Sequence, residues 1–131
     1  MTPESKLSEV LKEMAEANLD HFCVYQGSIS LEFQKHVDGE LVSFQASTNG
    51  RMLLKSDGER RPEGDYDVSA IYTCLSQSLR SVSGANGVYR LEFGNGLVFD
   101  VSDPDRYGDY TLQVDVIDRK DTKNTATYLF E

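Results

Sequence analysis

The side chains of this sequence best suited to metal or nucleophilic chemistry are two histidines and two cysteines. His21 and Cys23 form one H-x-C pair, while His36 and Cys74 lie elsewhere in the chain. A structural zinc site uses four such ligands, and a catalytic triad needs a nucleophile, a base and an orienting group. Neither pattern occurs, and the sequence has no G-x-S-x-G, P-loop or G-x-G-x-x-G motif. We therefore predict no metal, no cofactor and no enzymatic activity. The remaining alternative is a small hydrolase or isomerase that works through His21 or His36.

The segment from Asp103 to Asp109 collects oxygen ligands of the kind that calcium prefers. An EF-hand loop takes ligands at its first, third, fifth and twelfth positions and has glycine at the sixth. Counted from Asp103, the glycine falls correctly at Gly108, but Tyr107 occupies the fifth position and no helix is expected on either side. We interpret the segment as a polar turn.

The charge balance is the strongest functional signal in the composition. The chain has 22 acidic and 13 basic residues, a net charge of −9 and a pI near 4.6. A negative surface opposes non-specific binding to nucleic acid and to anionic membranes, because both attract positive charge. The expected partner is therefore a basic protein.

Length and composition predict a single cytoplasmic domain over residues 1–131. A chain of 131 residues is in the usual range for one domain, and 39% hydrophobic residues are enough for a packed core. No stretch reaches the roughly 18 apolar residues of a membrane helix. The N-terminus lacks the basic start and apolar block of a secretory signal. The two cysteines, Cys23 and Cys74, are expected to be reduced.

Hydrophobic periodicity predicts an α+β fold: a mostly antiparallel sheet of about six to eight strands with an N-terminal helix and one mid-chain helix. Apolar residues at helical spacing indicate a first helix that begins at Pro3 and ends near Asn18. A second such pattern follows Asp67 and is expected to end before Ser83. Alternating residues and Asp-Gly or Asn-Gly hairpin signals predict strands in most of the remainder.

Acidic residues cluster in the last third of the chain, where a sheet would display some of them on one face. From Leu91 to Asp118 there are seven acids, opposed only by Arg106. Because successive strand residues point to opposite faces, Glu92, Asp100 and Asp115 are expected to face away from the core. If their strands share one sheet, they form an acidic face with tyrosines at its rim, suited to a basic protein. The alternative is a solvated surface that keeps the protein soluble. The predicted partner-binding residues are Glu92, Asp100, Asp103, Asp105, Tyr107, Asp109, Tyr110 and Asp115.

One sequence pattern occurs twice. G-x-x-x-L-E-F begins at Gly27 and again at Gly87, 60 residues later. Each copy leads into a glycine turn and a second alternating strand. The pattern is either a structural repeat or two independent uses of the same hairpin chemistry.

The leading helix, the L-E-F strands, the Asp-Gly and Asn-Gly hairpins and the acidic face together resemble the small acidic immunity proteins of bacterial toxin systems. These include the immunity proteins of contact-dependent growth inhibition. The resemblance covers the whole chain as an overall profile. It implies a bacterial protein that neutralises a cognate toxin, often a basic nuclease, by covering its active site or its substrate-binding surface. The residues of the acidic face are the ones that this role would use.

The class I chaperones of type III secretion are also similar, since they are small and acidic with a leading helix and a helix between two groups of strands. That resemblance implies an effector protein as the partner. The sequence departs from it at Thr125–Phe130, where residues alternate as in a strand and the chaperones typically have a helix. A secretion chaperone is therefore the alternative function.

Overall fold

A computed structural model describes residues 3–25, 28–48, 51–56, 59–60, 68–85, 87–102, 110–118 and 125–130. Within these residues the chain forms two helices and ten strands. In chain order they are α1 (Pro3–Met14), β1 (Asn18–Tyr25), β2 (Ser28–Val37), β3 (Glu40–Thr48), β4 (Arg51–Ser56), β5 (Glu59–Arg60), α2 (Val68–Thr73), β6 (Leu79–Ala85), β7 (Val88–Phe93), β8 (Val98–Ser102), β9 (Leu112–Asp118) and β10 (Thr125–Phe130).

The strands form two antiparallel sheets of five strands each. Sheet A has the order β1-β2-β3-β9-β10, and sheet B has the order β5-β4-β8-β7-β6. The predicted antiparallel pairing and the two predicted helices are therefore confirmed. The α+β class with one sheet of six to eight strands is wrong in its balance: the described residues are mostly β, with little helix, and the strands divide between two sheets.

The two halves of the chain have the same layout, and each gives its last two strands, β4 with β5 or β9 with β10, to the sheet of the other. In the first half a helix precedes β1, β2 and β3, which pair in sequence, and β4 then crosses to sheet B beside β8. In the second half a helix precedes β6, β7 and β8, and β9 crosses to sheet A beside β3. The fold is thus a repeat in which the fourth and fifth strands of each half are exchanged between the sheets.

The register of the strands identifies the G-x-x-x-L-E-F pattern as part of this repeat. In sheet A, Leu31 lies opposite Phe22, and in sheet B, Leu91 lies opposite Val82. The residues of the second pair each lie 60 positions after those of the first, which is also the distance between the two copies of the pattern. Coincidental use of hairpin chemistry does not explain this, because the partner strands are matched as well.

The two halves meet at a symmetric junction of backbone hydrogen bonds. Glu16 donates to the carbonyl of Leu79 at 2.7 Å, and Ser76 donates to the carbonyl of Leu19 at 2.8 Å. Glu16 and Ser76 both have positive φ, 72° and 65°, although neither is glycine. These paired left-handed residues end the helical segments and turn the chain into β1 and β6.

One hydrophobic core joins both sheets and both helices. The Phe33 and Phe93 rings, one from each sheet, have centroids 6.0 Å apart, and Tyr89 meets Phe130 edge-on at 5.6 Å. Met14 of α1 and Ile71 of α2 are buried in the same cluster. The apolar face of each sheet therefore packs against the other, which leaves the opposite faces for polar residues.

The second helix is shorter than its periodicity predicts, because a strand can imitate helical spacing. The helix ends at Thr73, and β6 begins at Leu79. A register shift between Leu79 and Ser81 marks a β-bulge, which places one additional residue in the strand. The buried residues Leu79 and Val82 are consequently three apart, as they would be on a helix.

The two cysteines differ in exposure, and this difference predicts their reactivity. Cys23 is exposed and Cys74 is buried, and neither is in a disulfide. Burial raises the pKa of the Cys74 thiol, although a hydrogen bond from Asn95 partly opposes the shift. Because the thiolate is the reactive form, we expect DTNB to titrate one thiol in the native protein and two after denaturation. A Cys23→Ser variant should show no fast native reaction; rapid labelling of that variant would contradict the assigned burial.

Candidate functional site

The predicted acidic face is divided between the two sheets. Glu92 in β7 and Asp100 in β8 belong to sheet B, whereas Asp115 in β9 belongs to sheet A. The condition for one acidic face, that the three strands share a sheet, is therefore not met, and the exchange of β9 is the reason. The predicted orientation holds for each of them, since each carboxylate residue alternates with buried neighbours in its strand.

The other predicted binding residues add little to either sheet. Tyr110 is half-buried just before β9. The remaining four fall outside the described residues: Asp103, Asp105, Tyr107 and Asp109. Their predicted role in partner binding stays a prediction.

On the outer face of sheet B the carboxylates are matched by arginines. The Arg90 guanidinium donates two hydrogen bonds to Asp100, from Nε to Oδ1 at 2.8 Å and from Nη2 to Oδ2 at 3.1 Å. This contact raises the pKa of Arg90. Arg80 Nη1 lies 3.5 Å from Glu92 Oε1. The charges of Asp100 and Glu92 are thus locally compensated.

The outer face of sheet A, which we call the A-face, is different. One row of register partners crosses all five strands and is polar throughout; it consists of His21, Glu32, Gln45, Asp115 and Thr127. Asp115 accepts hydrogen bonds from Thr127 Oγ1 at 2.6 Å and from Gln113 Nε2 at 3.1 and 3.2 Å. Both donors are neutral, so they orient the carboxylate without cancelling its charge.

No lysine or arginine lies on the A-face among the residues that the structure describes. The outward positions of β1, β2, β3, β9 and β10 carry Asp20, Glu32 and Asp115 as their only carboxylates. The other ionisable side chains there are His21, Cys23, Tyr25 and His36. Lys35, in β2, belongs to the opposite side and donates to the carbonyl of Ala15. Negative charge therefore concentrates on sheet A rather than on sheet B.

Two exposed apolar side chains flank the polar row. Tyr25, in the edge strand β1, is 56% exposed, and Leu129, in the edge strand β10, is 48% exposed. Both share the strand face of the polar row, because Tyr25 is four residues beyond His21 and Leu129 is two beyond Thr127. A polar centre with apolar residues at its margins offers both charge and burial to a partner.

One cluster on the A-face has the composition of a metal site. Asp20 Oδ2 lies 2.8 Å and Glu32 Oε2 lies 3.2 Å from His21 Nδ1. Glu32 is buried, with 7% of its surface exposed. Strand alternation does not predict this association, because Asp20 and His21 are adjacent in the chain and consecutive strand residues normally point to opposite faces. The available signal was the spacing of three between Leu19 and Phe22, which a bulge produces.

Comparison of the chain with protein-family models, with curated proteins and with solved structures finds no match. Within the described residues, no helix is long and apolar enough to span a membrane.

Proposed function

We propose that this chain is a non-enzymatic binding protein whose A-face docks a basic protein. The observation that carries the proposal is the contrast between the two outer faces. Glu92 and Asp100 on sheet B contact arginines, whereas Asp115 on the A-face is held by neutral donors. A partner with lysines or arginines would supply the missing counter-charges.

The arrangement of the A-face favours a specific complex over a solvated surface. Its hydrogen bonds hold the Asp115 carboxylate in one orientation, so little side-chain entropy remains to be lost on binding. The exposed residues Tyr25 and Leu129 add apolar area at two margins, and tyrosine is enriched at protein interfaces. Electrostatic attraction would accelerate association with a basic surface and make it sensitive to salt.

We further propose, from the resemblance to small acidic immunity proteins, that the partner is a bacterial toxin domain and that the protein acts in the cytoplasm. Covering a basic active site or substrate-binding surface would neutralise such a toxin. The secretion chaperone is supported less well, because β10 forms a strand at Thr125–Phe130, where those chaperones typically have a helix.

The test compares two substitutions that change the charge equally on the two sheets. Pull-downs from the source bacterium use the wild-type protein, Asp115→Lys and Asp100→Lys as baits, at low and at moderate salt. We expect one basic toxin domain, released as salt rises. With the purified pair, Asp115→Lys should weaken binding at least about tenfold, in the range of charged interface contacts, and Asp100→Lys much less.

Circular dichroism of both variants separates loss of binding from loss of folding. Equal binding by the wild type and Asp115→Lys would exclude the A-face as the docking surface. Capture of an effector with a disordered N-terminal segment would instead favour the chaperone. Recovery of no basic partner at either salt concentration would overturn the proposal.

A further inference from the structure

We infer that Asp20, His21 and Glu32 form a binding site for one divalent transition-metal ion. The inference goes beyond partner binding and does not depend on it. It rests on three features of the cluster: the bulge that assembles it, the spacing of its ligand atoms, and the residues that replace it in the second half of the chain.

The bulge in β1 brings two consecutive side chains to one face of the sheet. Leu19 lies opposite Phe33, and the next paired residue, His21, lies opposite Glu32. Asp20 is therefore the additional residue of the bulge. Consecutive strand residues normally point to opposite faces. At this bulge the ligand atoms of Asp20 and His21 both lie within 4.8 Å of that of Glu32. Bulges of this kind commonly re-aim side chains beside functional sites.

The ligand atoms lie close to the spacing that a metal ion requires. Zinc binds histidine nitrogen and carboxylate oxygen at about 2.0–2.2 Å, so two ligand atoms around a tetrahedral ion are about 3.3–3.6 Å apart. His21 Nδ1 is 2.8 Å from Asp20 Oδ2 and 3.2 Å from Glu32 Oε2. All three ligand atoms lie within 4.8 Å of one another. Small side-chain rotations are enough to place all three around a common centre.

The donor set determines the class of ion. One imidazole with two carboxylates suits zinc, iron, manganese and nickel, whereas magnesium and calcium prefer oxygen ligands alone. Three protein ligands leave one or more positions open to water or to a group on a partner. Asp20 and His21 are exposed, so an ion can reach the site from solvent.

The second half of the chain shows that this position in the fold holds a cation. Sixty residues later the equivalent bulge carries Arg80 and Ser81, and the equivalent glutamate is Glu92. Arg80 Nη1 lies 3.5 Å from Glu92 Oε1, and Ser81 Oγ donates to Glu92 Oε2 at 3.5 Å. In the first half a carboxylate, Asp20, replaces this guanidinium, and a histidine replaces the serine.

In the first half, two possible metal ligands, Asp20 and His21, thus occupy the positions that Arg80 and Ser81 have in the second half. The Glu32 carboxylate is more deeply buried than Glu92 and has a second carboxylate close to it. A divalent ion at the centre of the cluster would attract both carboxylates and accept the imidazole lone pair. The same position in the fold thus has an arginine beside its glutamate in the second half and two possible metal ligands beside it in the first half.

The test is isothermal titration calorimetry. The protein is first freed of bound metal with a chelator and is then titrated with Zn²⁺. We expect one ion per chain. His21→Ala and Asp20→Asn should each weaken binding at least about tenfold, as loss of one ligand out of three removes a direct bond to the ion. Asp20 is exposed, so Asp20→Asn keeps the fold and stays informative if Glu32→Gln does not fold.

Matched controls address the other groups that could bind zinc. His36→Ala tests the second histidine, Glu92→Gln tests the equivalent glutamate, and Cys23→Ser tests the exposed thiol on the same strand. Each should leave the zinc affinity within about twofold of the wild type. A wild-type protein that binds no Zn²⁺, or binding that survives both His21→Ala and Asp20→Asn, would overturn the inference.

Discussion

Replacing Phe93 with alanine is expected to destabilise the protein by about 3–5 kcal/mol, the usual cost of removing a buried phenylalanine. Phe93 has no exposed surface. Its ring lies 6.0 Å from that of Phe33 in sheet A and 5.2 Å from that of Phe99 in sheet B, so it joins the two sheets. A cavity at this position removes contacts on both sides. Since domains of this size are stable by only about 5–15 kcal/mol, the loss is a large share of the total.

Urea denaturation measures this effect directly. The midpoint should fall while the dependence on denaturant stays the same. Val88→Ala is the matched control, because Val88 lies in the same strand and is 51% exposed; its expected change is within about 0.5 kcal/mol. A loss of less than about 1 kcal/mol for Phe93→Ala would show that the two sheets do not share this core.

Substitution of Gly84 by alanine is the second change with a large expected effect. Gly84 has a φ of 142°, which side chains rarely adopt, and lies opposite Tyr89 in the pairing of β6 with β7. A Cβ atom there would collide with the carbonyl oxygen of Val88 and lie 2.7 Å from the Cα of Tyr89. Both are backbone atoms, so the strands would have to separate. We expect a loss of about 2–5 kcal/mol, from backbone strain together with overpacking.

Gly87→Ala separates these two causes. Gly87 also has a positive φ, 83°, but a Cβ there would meet nothing within 4 Å. Its cost should be the conformational penalty alone, about 1–2 kcal/mol. Thermal unfolding of the two variants under identical conditions compares them. Equal losses would mean that the close approach of β7 to Gly84 contributes nothing to stability.

The equivalent position in the first half of the chain explains why residue 84 is a glycine. The equivalent of the Gly84–Tyr89 pair in sheet A is Val24 opposite Ile29. Two medium-sized residues in one half correspond to one large and one minimal residue in the other. The Tyr89 ring lies over the glycine, with Cδ1 3.0 Å from the position of the added Cβ, and it also contacts Phe130. The two pairs thus divide their side-chain volume differently, and only Ile29 and Tyr89 of the four residues are buried.

Local patterns in the sequence predicted the elements but not their assembly. Alternating residues located Leu31, Phe33, Leu91 and Phe93 as inward-facing, and all four are buried. The hairpin signals at Asp38-Gly39 and Asn95-Gly96 predicted the pairing of β2 with β3 and of β7 with β8 correctly. The signal at Asn49-Gly50 was wrong, because β4 pairs with β8 in sheet B and not with β3. The crossing of β4 and β9 into opposite sheets was out of reach, because it pairs residues 43 to 51 apart in β4 and β8 and 64 to 76 apart in β3 and β9. It also depends on side-chain packing across the whole core. For this reason Asp115 was expected beside Glu92 and Asp100.

The candidate site was predictable only in part, for a related reason. Strand alternation gave the outward orientation of Glu92, Asp100 and Asp115 correctly. It assumes that every strand keeps a period of two, and the bulges at Asp20 and Arg80 break that period. The cluster of Asp20, His21 and Glu32 forms at one of these breaks. Strand alternation alone therefore cannot predict this cluster.

The exchange of fourth strands has a consequence for how the protein folds. Sheet A lacks an inner strand until the second half of the chain arrives, and sheet B lacks one until β4 crosses from the first half. Neither half can bury its own sheet edge, so neither is a stable intermediate, and the two sheets must close in the same cooperative step. Such long-range pairings are entropically costly and place the chain among slow-folding topologies. During synthesis, β3 is made before β9, so one edge of β3 stays unpaired until β9 has been made.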